Sequence, residues 1–233
     1  METNQSPPPP AQMMQMITGF WTSCCIYSAA KLDIGDRIAE KPRTAAQLAS
    51  ETQTHAPSLY RVLRALSSVG VFSENEKGEF ELTPLGNTLR SDVPGSMKAM
   101  AIALLGDHYS AWGNLLHSIK TGETAFDNLH NMPVYKYYAT HPESGVNFTK
   151  AMSGLTQSVL MNILSAYDFS SFKTIVDIGG GNGALLHGIL NKATNSKGII
   201  FDEEYIKNEA LQNIEKNNLQ QRCSFEAGSF LEK

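Results

Sequence analysis

The stretch Ile175-Val176-Asp177-Ile178-Gly179-Gly180-Gly181-Asn182-Gly183 decides the reading of this chain. An apolar run breaks into a glycine cluster, and Leu185, Leu186, Ile189 and Leu190 then recur at helical spacing. A strand that turns sharply into a helix has this order, and the free N–H groups at the helix start can take acceptor atoms of a nucleotide-like ligand. Glycine lets the backbone approach that ligand with no Cβ in the way. The loop has no Lys and is not a phosphate-cradling P-loop. Asp177, at the strand end, is placed to take a cationic group such as a ligand amino group. Asp202 closes a second apolar run 25 residues further on, and a carboxylate there can hold two ribose hydroxyls. The nicotinamide fingerprint spacing is met by Gly179, Gly181 and Ala184, which leaves that class open; the acid just before the glycines counts against it.

Downstream, strand and helix alternate. Strands are predicted at 174–178, 198–201 and 223–227, with helices at 183–192 and 204–217. That order predicts a parallel sheet with right-handed crossovers. Only three strands precede Lys233, so the remaining strands of an open sheet are expected beyond it, and one sheet edge and one helix face are expected to be uncovered.

Upstream, the texture is helical. Residues 11–34 read as a helix with little polar face (Met13, Met16, Ile17, Phe20, Trp21, Cys24, Ile26), to be buried by a second subunit or within the chain. Thr44 with Gln47 has capping-box spacing. Pro57 opens a helix with Leu59, Val62, Leu63, Leu66 and Val69 on one side, ended by Gly70. Residues 71–74 and 80–83 flank a Glu-Lys-Gly turn as a hairpin. Two short helices and a hairpin make a winged helix-turn-helix. Arg61 and Arg64 on its second helix would suit DNA, but Glu74, Glu76, Glu79 and Glu81 make the wing acidic, unlike a surface laid beside phosphates. Residues 96–120 read as one interrupted helix, and helices are predicted from 133 and over 142–165.

The chain has 233 residues, 42 % of them hydrophobic, and a net charge of -4. That supports a core and disfavours nucleic acid or an anionic membrane as the main partner. Cys24, Cys25 and Cys223 show no framework spacing, which argues for a reducing compartment and a cytoplasmic protein; the adjacent pair is expected in a core, and no metal site is expected. The start lacks a secretory signal, and Pro7 to Pro10 predict an extended lead-in. No apolar run is long enough to cross a membrane.

Taken together, Leu59-Tyr60-Arg61-Val62-Leu63-Arg64-Ala65-Leu66, Phe80-Glu81-Leu82-Thr83-Pro84-Leu85-Gly86, Thr121-Gly122-Glu123-Thr124-Ala125-Phe126, Phe148-Thr149-Lys150-Ala151-Met152 and the glycine loop resemble the plant and bacterial small-molecule O-methyltransferases that use S-adenosylmethionine, including the caffeate, hydroxyindole and carminomycin enzymes. The match covers nearly the whole chain. The resemblance implies an α/β chain: a mainly helical winged-helix dimerisation domain at 11–95 after a lead-in at 1–10, a helical acceptor-pocket region at 96–170, and the first half of a Rossmann-like methyltransferase sheet at 171–233. It implies a homodimer, S-adenosylmethionine as cofactor, and methyl transfer to a hydroxyl of a small, aromatic acceptor. Gly179, Gly181 and Gly183 would line the methionine end of the cofactor and Asp202 would hold its ribose. Phe148 and Met152 would lie on the wall of the acceptor pocket, with Trp112 near it. Gly228-Ser229-Phe230 stands where the family carries Gly-Asp-Phe or Gly-Asp-Met, so Ser229 and Phe230 belong to the cofactor set, with a weaker grip on the base. Asp202-Glu203-Glu204 replaces Asp-Leu-Pro. The family's basic His, in a His-Asp-Trp motif past the fourth strand, would lie beyond Lys233, so no catalytic residue is assigned. The resemblance then implies part of a longer protein or a shortened form, with little methylation by these 233 residues alone. A non-catalytic dimerisation partner and a winged-helix DNA regulator are the alternatives.

Overall fold

A computed structural model describes residues 7–229. The chain divides into two units, one ending at Leu105 and the next beginning at Gly106.

The first unit opens with α1 (Pro9–Lys31), α2 (Ile34–Arg37), β1 (Arg43–Thr44), α3 (Ala45–Thr52) and α4 (Ala56–Ser68). It continues with β2 (Phe72–Glu74), β3 (Glu79–Leu82), α5 (Pro84–Asn87) and α6 (Lys98–Leu105). Helix α1 starts at Pro9, inside the proline run expected to be an extended lead-in. Prolines cost nothing in a first helical turn, where the missing N–H would have had no partner. The capping box forms as its spacing predicts: Gln47 N–H donates to Thr44 Oγ1 and Thr44 N–H donates to Gln47 Oε1. Leu59, Leu63 and Leu66 stack along one face of α4 and are buried with Leu48, Phe72 and Phe80. Phe72 faces Leu82 across the β2–β3 hairpin. The two-residue strand β1, too short to show any periodicity, pairs with β3 and completes a three-stranded wing. Arg64 of α4 is held by Glu74 of the wing at 2.9 Å. Ala29 and Ala30 are buried at the end of α1, while Met13, Met16, Ile17, Phe20 and Trp21 are exposed. Cys24 is exposed and Cys25 half-buried, so Cys24 is not the core residue expected of it.

The predicted helix over 96–120 is three helices: α6, α7 (Asp107–Gly113) and α8 (Leu115–Thr121). Gly106 leaves helical dihedrals (φ −91°, ψ −110°), which ends the first unit there. Helix α9 (Ala125–His130) lies in a stretch left without an element by the pattern; Thr124 caps it by accepting from Asp127 N–H. Helices α10 (Val134–Thr140) and α11 (Pro142–Ala166) follow, then β4 (Thr174–Ile178), α12 (Ala184–Lys192), β5 (Lys197–Asp202), a 3-10 turn (Glu204–Ile206), α13 (Lys207–Lys216) and β6 (Cys223–Ala227). The strands are parallel in the order β4-β5-β6. Leu186 and Leu190 of α12, Ile206, and Ala210 and Ile214 of α13 bury Ile200 of β5. Among the described residues β4 pairs with β5 alone, and Val176 and Ile178 are exposed on one face of it. His187 is buried at 5 % exposure, because α12 turns its face onto β5 rather than to water. No helix among the described residues is long and apolar enough to cross a membrane.

Candidate functional site

The parallel strands β4, β5 and β6 end on the same side, so Asp177, Asp202 and Ser229 are brought to one place by topology. With the glycine loop, helix α11 and the 3-10 turn they line a cavity of about 330 Å³. Its lining includes Asp177, Gly179, Gly181, Asp202, Ser229, Phe148 and Met152 from the sequence-predicted set. Gly183 is not in the lining. It sits where the loop enters α12 at φ +86°, and a Cβ there would fall 2.5 Å from Ile200 Cδ1 and 2.6 Å from His187 Nε2. Its part is to let the loop pack down on β5. Trp112 is 67 % exposed and is not in the lining either. Phe230 lies outside the described residues.

The loop is laid on β5 by main-chain bonds. Gly179 N–H donates to Phe201 O at 2.8 Å, and Gly183 N–H donates to Gly180 O at 2.9 Å. Gly181 adopts φ +56°, which aims its N–H at Asp202 Oδ2, 2.6 Å away. Glu203 N–H donates to Asp202 Oδ1 at 2.7 Å. Each Asp202 oxygen therefore holds one backbone donor and keeps a lone pair for a ligand hydroxyl. Asp177 lies beneath Gly180, where a Cβ would come 3.0 Å from its Cγ. Burial, then the Asp202 charge, pushes the Asp177 carboxyl above the usual carboxylate range. Its side chain has no hydrogen-bond partner among the described residues. Glu203 adds a third carboxylate to the lining, and among the described residues no Lys, Arg or His is in it. Such a site favours a ligand that brings positive charge and hydroxyl donors.

The rest of the lining is largely aromatic and aliphatic, with hydroxyls interspersed on the same helical face. Phe148 and Met152 of α11 are joined by Tyr135 of α10 and Tyr205 of the 3-10 turn. Phe148 stacks on Tyr138 (centroids 4.9 Å apart, planes at 25°), which is buried and hydrogen-bonds His108 Nε2 at 2.5 Å. This fixes the Phe148 ring from behind. His108 itself is not in the lining. Tyr205 has its hydroxyl pushed up to about 12 by burial and by Asp202 and Glu203, so it stays a donor. Thr149, Ser153 and Thr156 also line the cavity, one helical face shared with Phe148 and Met152. Their spacing was the available signal for them. Tyr205 offered none, since only the path of the 3-10 turn carries it inward. Among the described residues no group of His, Cys, Asp or Glu is arranged to hold a metal ion.

Comparison with known proteins bears on this arrangement. The O-methyltransferase domain model matches residues 112–233, and the O-methyltransferase dimerisation domain model matches residues 14–92. Phenazine O-methyltransferase PhzM of Lysobacter antibioticus is 42 % identical over 218 residues, covering 94 % of this chain and 64 % of that protein. The crystal structure of LaPhzM superposes with a TM-score of 0.92 at 41 % identity, over 96 % of this chain and 68 % of that one. NcsB1 of neocarzinostatin biosynthesis, in complex with S-adenosylmethionine and 2-hydroxy-5-methyl naphthoic acid, superposes with a TM-score of 0.78 at 30 % identity, over 91 % of this chain and 66 % of that one. The chain spans about 60 % of the length of the curated relatives it matches. With the O-methyltransferase model covering more than half of it, the chain belongs to the O-methyltransferase family, and the family's dimerisation domain precedes the matched catalytic domain.

Proposed function

We propose that the protein transfers a methyl group from S-adenosylmethionine to a hydroxyl of a small aromatic molecule. The observation that carries this reading is the composition of the cavity: three carboxylates and a glycine loop together with the aromatic and aliphatic side chains of Phe148, Met152, Tyr135 and Tyr205. The residues fit a ligand with an ammonium group, a ribose diol and a sulfonium charge. The cofactor would supply an electrophilic methyl group when bound. Asp202 accepts the ribose hydroxyls through its free lone pairs, and Asp177 faces the cationic end. The open backbone at Gly179 and Gly181 allows close approach. Ser229, with Phe230 beside it in sequence, meets the base without a charge, so grip there is weaker than a carboxylate would give. Phe148 and Met152 exclude water and lie flat against the acceptor. Positioning is the main contribution of these residues; none of them is assigned the role of base. NcsB1, solved with both S-adenosylmethionine and a naphthoic acid, supports a cofactor and an aromatic acceptor as the two occupants. A fused aromatic hydroxyl compound is the acceptor to try first, in line with the phenazine relative.

A homodimer is part of the same proposal. The exposed apolar residues of α1 and the dimerisation-domain match favour it, and they equally favour the second reading, a subunit that pairs without catalysis. Calorimetric titration of S-adenosylmethionine and its demethylated product into the chain separates the two. Micromolar binding that Asp202→Ala abolishes is expected. A folded chain that binds neither ligand, or an Asp202→Ala variant that binds unchanged, overturns the cofactor reading.

A further inference from the structure

Asn182 is the only residue between Gly179 and Gly183 with a side chain, and that side chain is buried and occupied at both ends. Ser153 Oγ on α11 donates to Asn182 Oδ1 at 2.6 Å. Asn182 Nδ2 donates to Glu209 Oε1 on α13 at 3.1 Å. Asn213 Nδ2, also on α13, donates to the Asn182 carbonyl at 3.3 Å. A carboxylate only accepts, so the amide nitrogen must face Glu209 and its oxygen Ser153, whose single hydroxyl proton also has Thr149 O within reach at 2.9 Å. One residue earlier, a Cβ on Gly181 would stand 3.4 Å from Thr149 Cγ2, so the loop passes close to α11 there. Thr149 is itself buried.

Phe148, Thr149, Met152, Ser153 and Thr156 line the cavity from a single face of α11. That face is therefore both the acceptor-side wall and the surface to which the glycine loop is fastened. A loop of glycines has much conformational freedom to lose. Whatever orders it must also order what it is fastened to. We infer that the Ser153–Asn182–Glu209 chain is a positioning link that couples filling of the glycine-loop side of the cavity to ordering of the α11 wall. The inference rests on the cofactor reading above. By linkage, an occupant of the wall raises affinity at the loop by the same factor.

The test is hydrogen exchange of residues 148–156 with and without saturating S-adenosylhomocysteine, on the full chain. Wild type is expected to slow about tenfold in this segment on binding, the size of one well-made hydrogen bond. Asn182→Ala and Ser153→Ala are expected to bind with a Kd raised about fivefold to tenfold and, once saturated, to show no such slowing. Ser153→Thr, which keeps the hydroxyl, is expected to restore it. Asn182 does not line the cavity, so its variant removes the link without removing a lining contact. Slowing that persists in both saturated variants, or wild type that binds with no slowing, overturns the link while the cofactor reading stands. Wild type that does not bind overturns the cofactor reading and the link together. If circular dichroism shows Asn182→Ala unfolded, the Ser153→Ala and Ser153→Thr pair decides.

Discussion

The two units bury different things. Up to Leu105 the buried side chains among the described residues are apolar: Leu48, Leu63, Leu66, Phe72 and Phe80 close a core around the wing and its helices. From Gly106 onward the described residues include buried Thr149, Asn182, His187 and Ser196 as well. Of these, Asn182 fastens the glycine loop, Thr149 lies beside Gly181, and His187 lies under the loop's last residue. The difference teaches where stability and where site geometry are stored. Apolar contacts fill space without specifying one orientation, whereas a buried amide or hydroxyl tolerates few arrangements because each unmade bond is costly.

The sharpest way to break this contrast is to cut each region at its centre. Leu63→Ala in the first unit is expected to lower stability by about 2–5 kcal/mol, through lost burial and the cavity left behind. Cofactor affinity of the folded fraction should stay within about twofold, since each kcal/mol lost here is a folding and not a binding term. Chemical denaturation alongside calorimetry checks this, and a large affinity loss would erase the distinction. Asp202→Ala is the mirror case. Its Kd should rise at least about 100-fold, because the ligand's hydroxyls lose a charged acceptor and two backbone donors lose theirs.

Asp177→Asn separates stability from binding within one residue. Its carboxyl is raised by burial and by Asp202. A group whose folded pKa is raised favours the fold while protonated, and that contribution is lost as pH rises through the folded pKa. The neutral variant should therefore melt slightly higher than wild type at pH 7, while its cofactor Kd rises about tenfold. In wild type, cofactor affinity should fall as pH drops through this raised titration, at a higher pH than an ordinary aspartate would show. The variant should lack that step. A titration series by calorimetry reads both, and an identical pH profile in the two proteins would contradict the assignment.

The smallest expected effect concerns His187. Burial holds its imidazole below the usual range, and Nε2 has no partner among the described residues. A depressed histidine is neutral in the fold, so stability is present above the unfolded pKa and is lost as pH falls toward the folded one. His187→Leu should leave melting at pH 8 within about 1 kcal/mol of wild type and reduce the loss seen below pH 6. Parallel acid-induced slopes in the two proteins would show that the acid sensitivity comes from elsewhere.

Much of this arrangement was legible along the chain. The capping box at Thr44, the leucine face of α4, the hairpin, and the alternation of strands and helices after residue 173 are local patterns, and local patterns survive folding when nothing opposes them. Carboxylates at the ends of adjacent parallel strands converge by topology alone, which is why Asp177 and Asp202 could be paired before any coordinates. The interruption at Gly106 was legible; less so was the break at Asn114, because apolar spacing continues through it. The short helix α9 was hidden by its length, with Thr124 as its one signal. Trp112, placed near the acceptor pocket by family likeness, is exposed on α7.

Sequence by itself therefore determined the elements, their order and the acidic character of the site, since these follow from periodicity, caps and strand-terminal residues. Tertiary structure alone decided that Gly183 serves packing and not lining, that His187 is buried, that Tyr205 enters the cavity, and that Asn182 joins α11 to α13. Each of these depends on which face a helix presents to a distant element, and no spacing within one segment encodes the position of another.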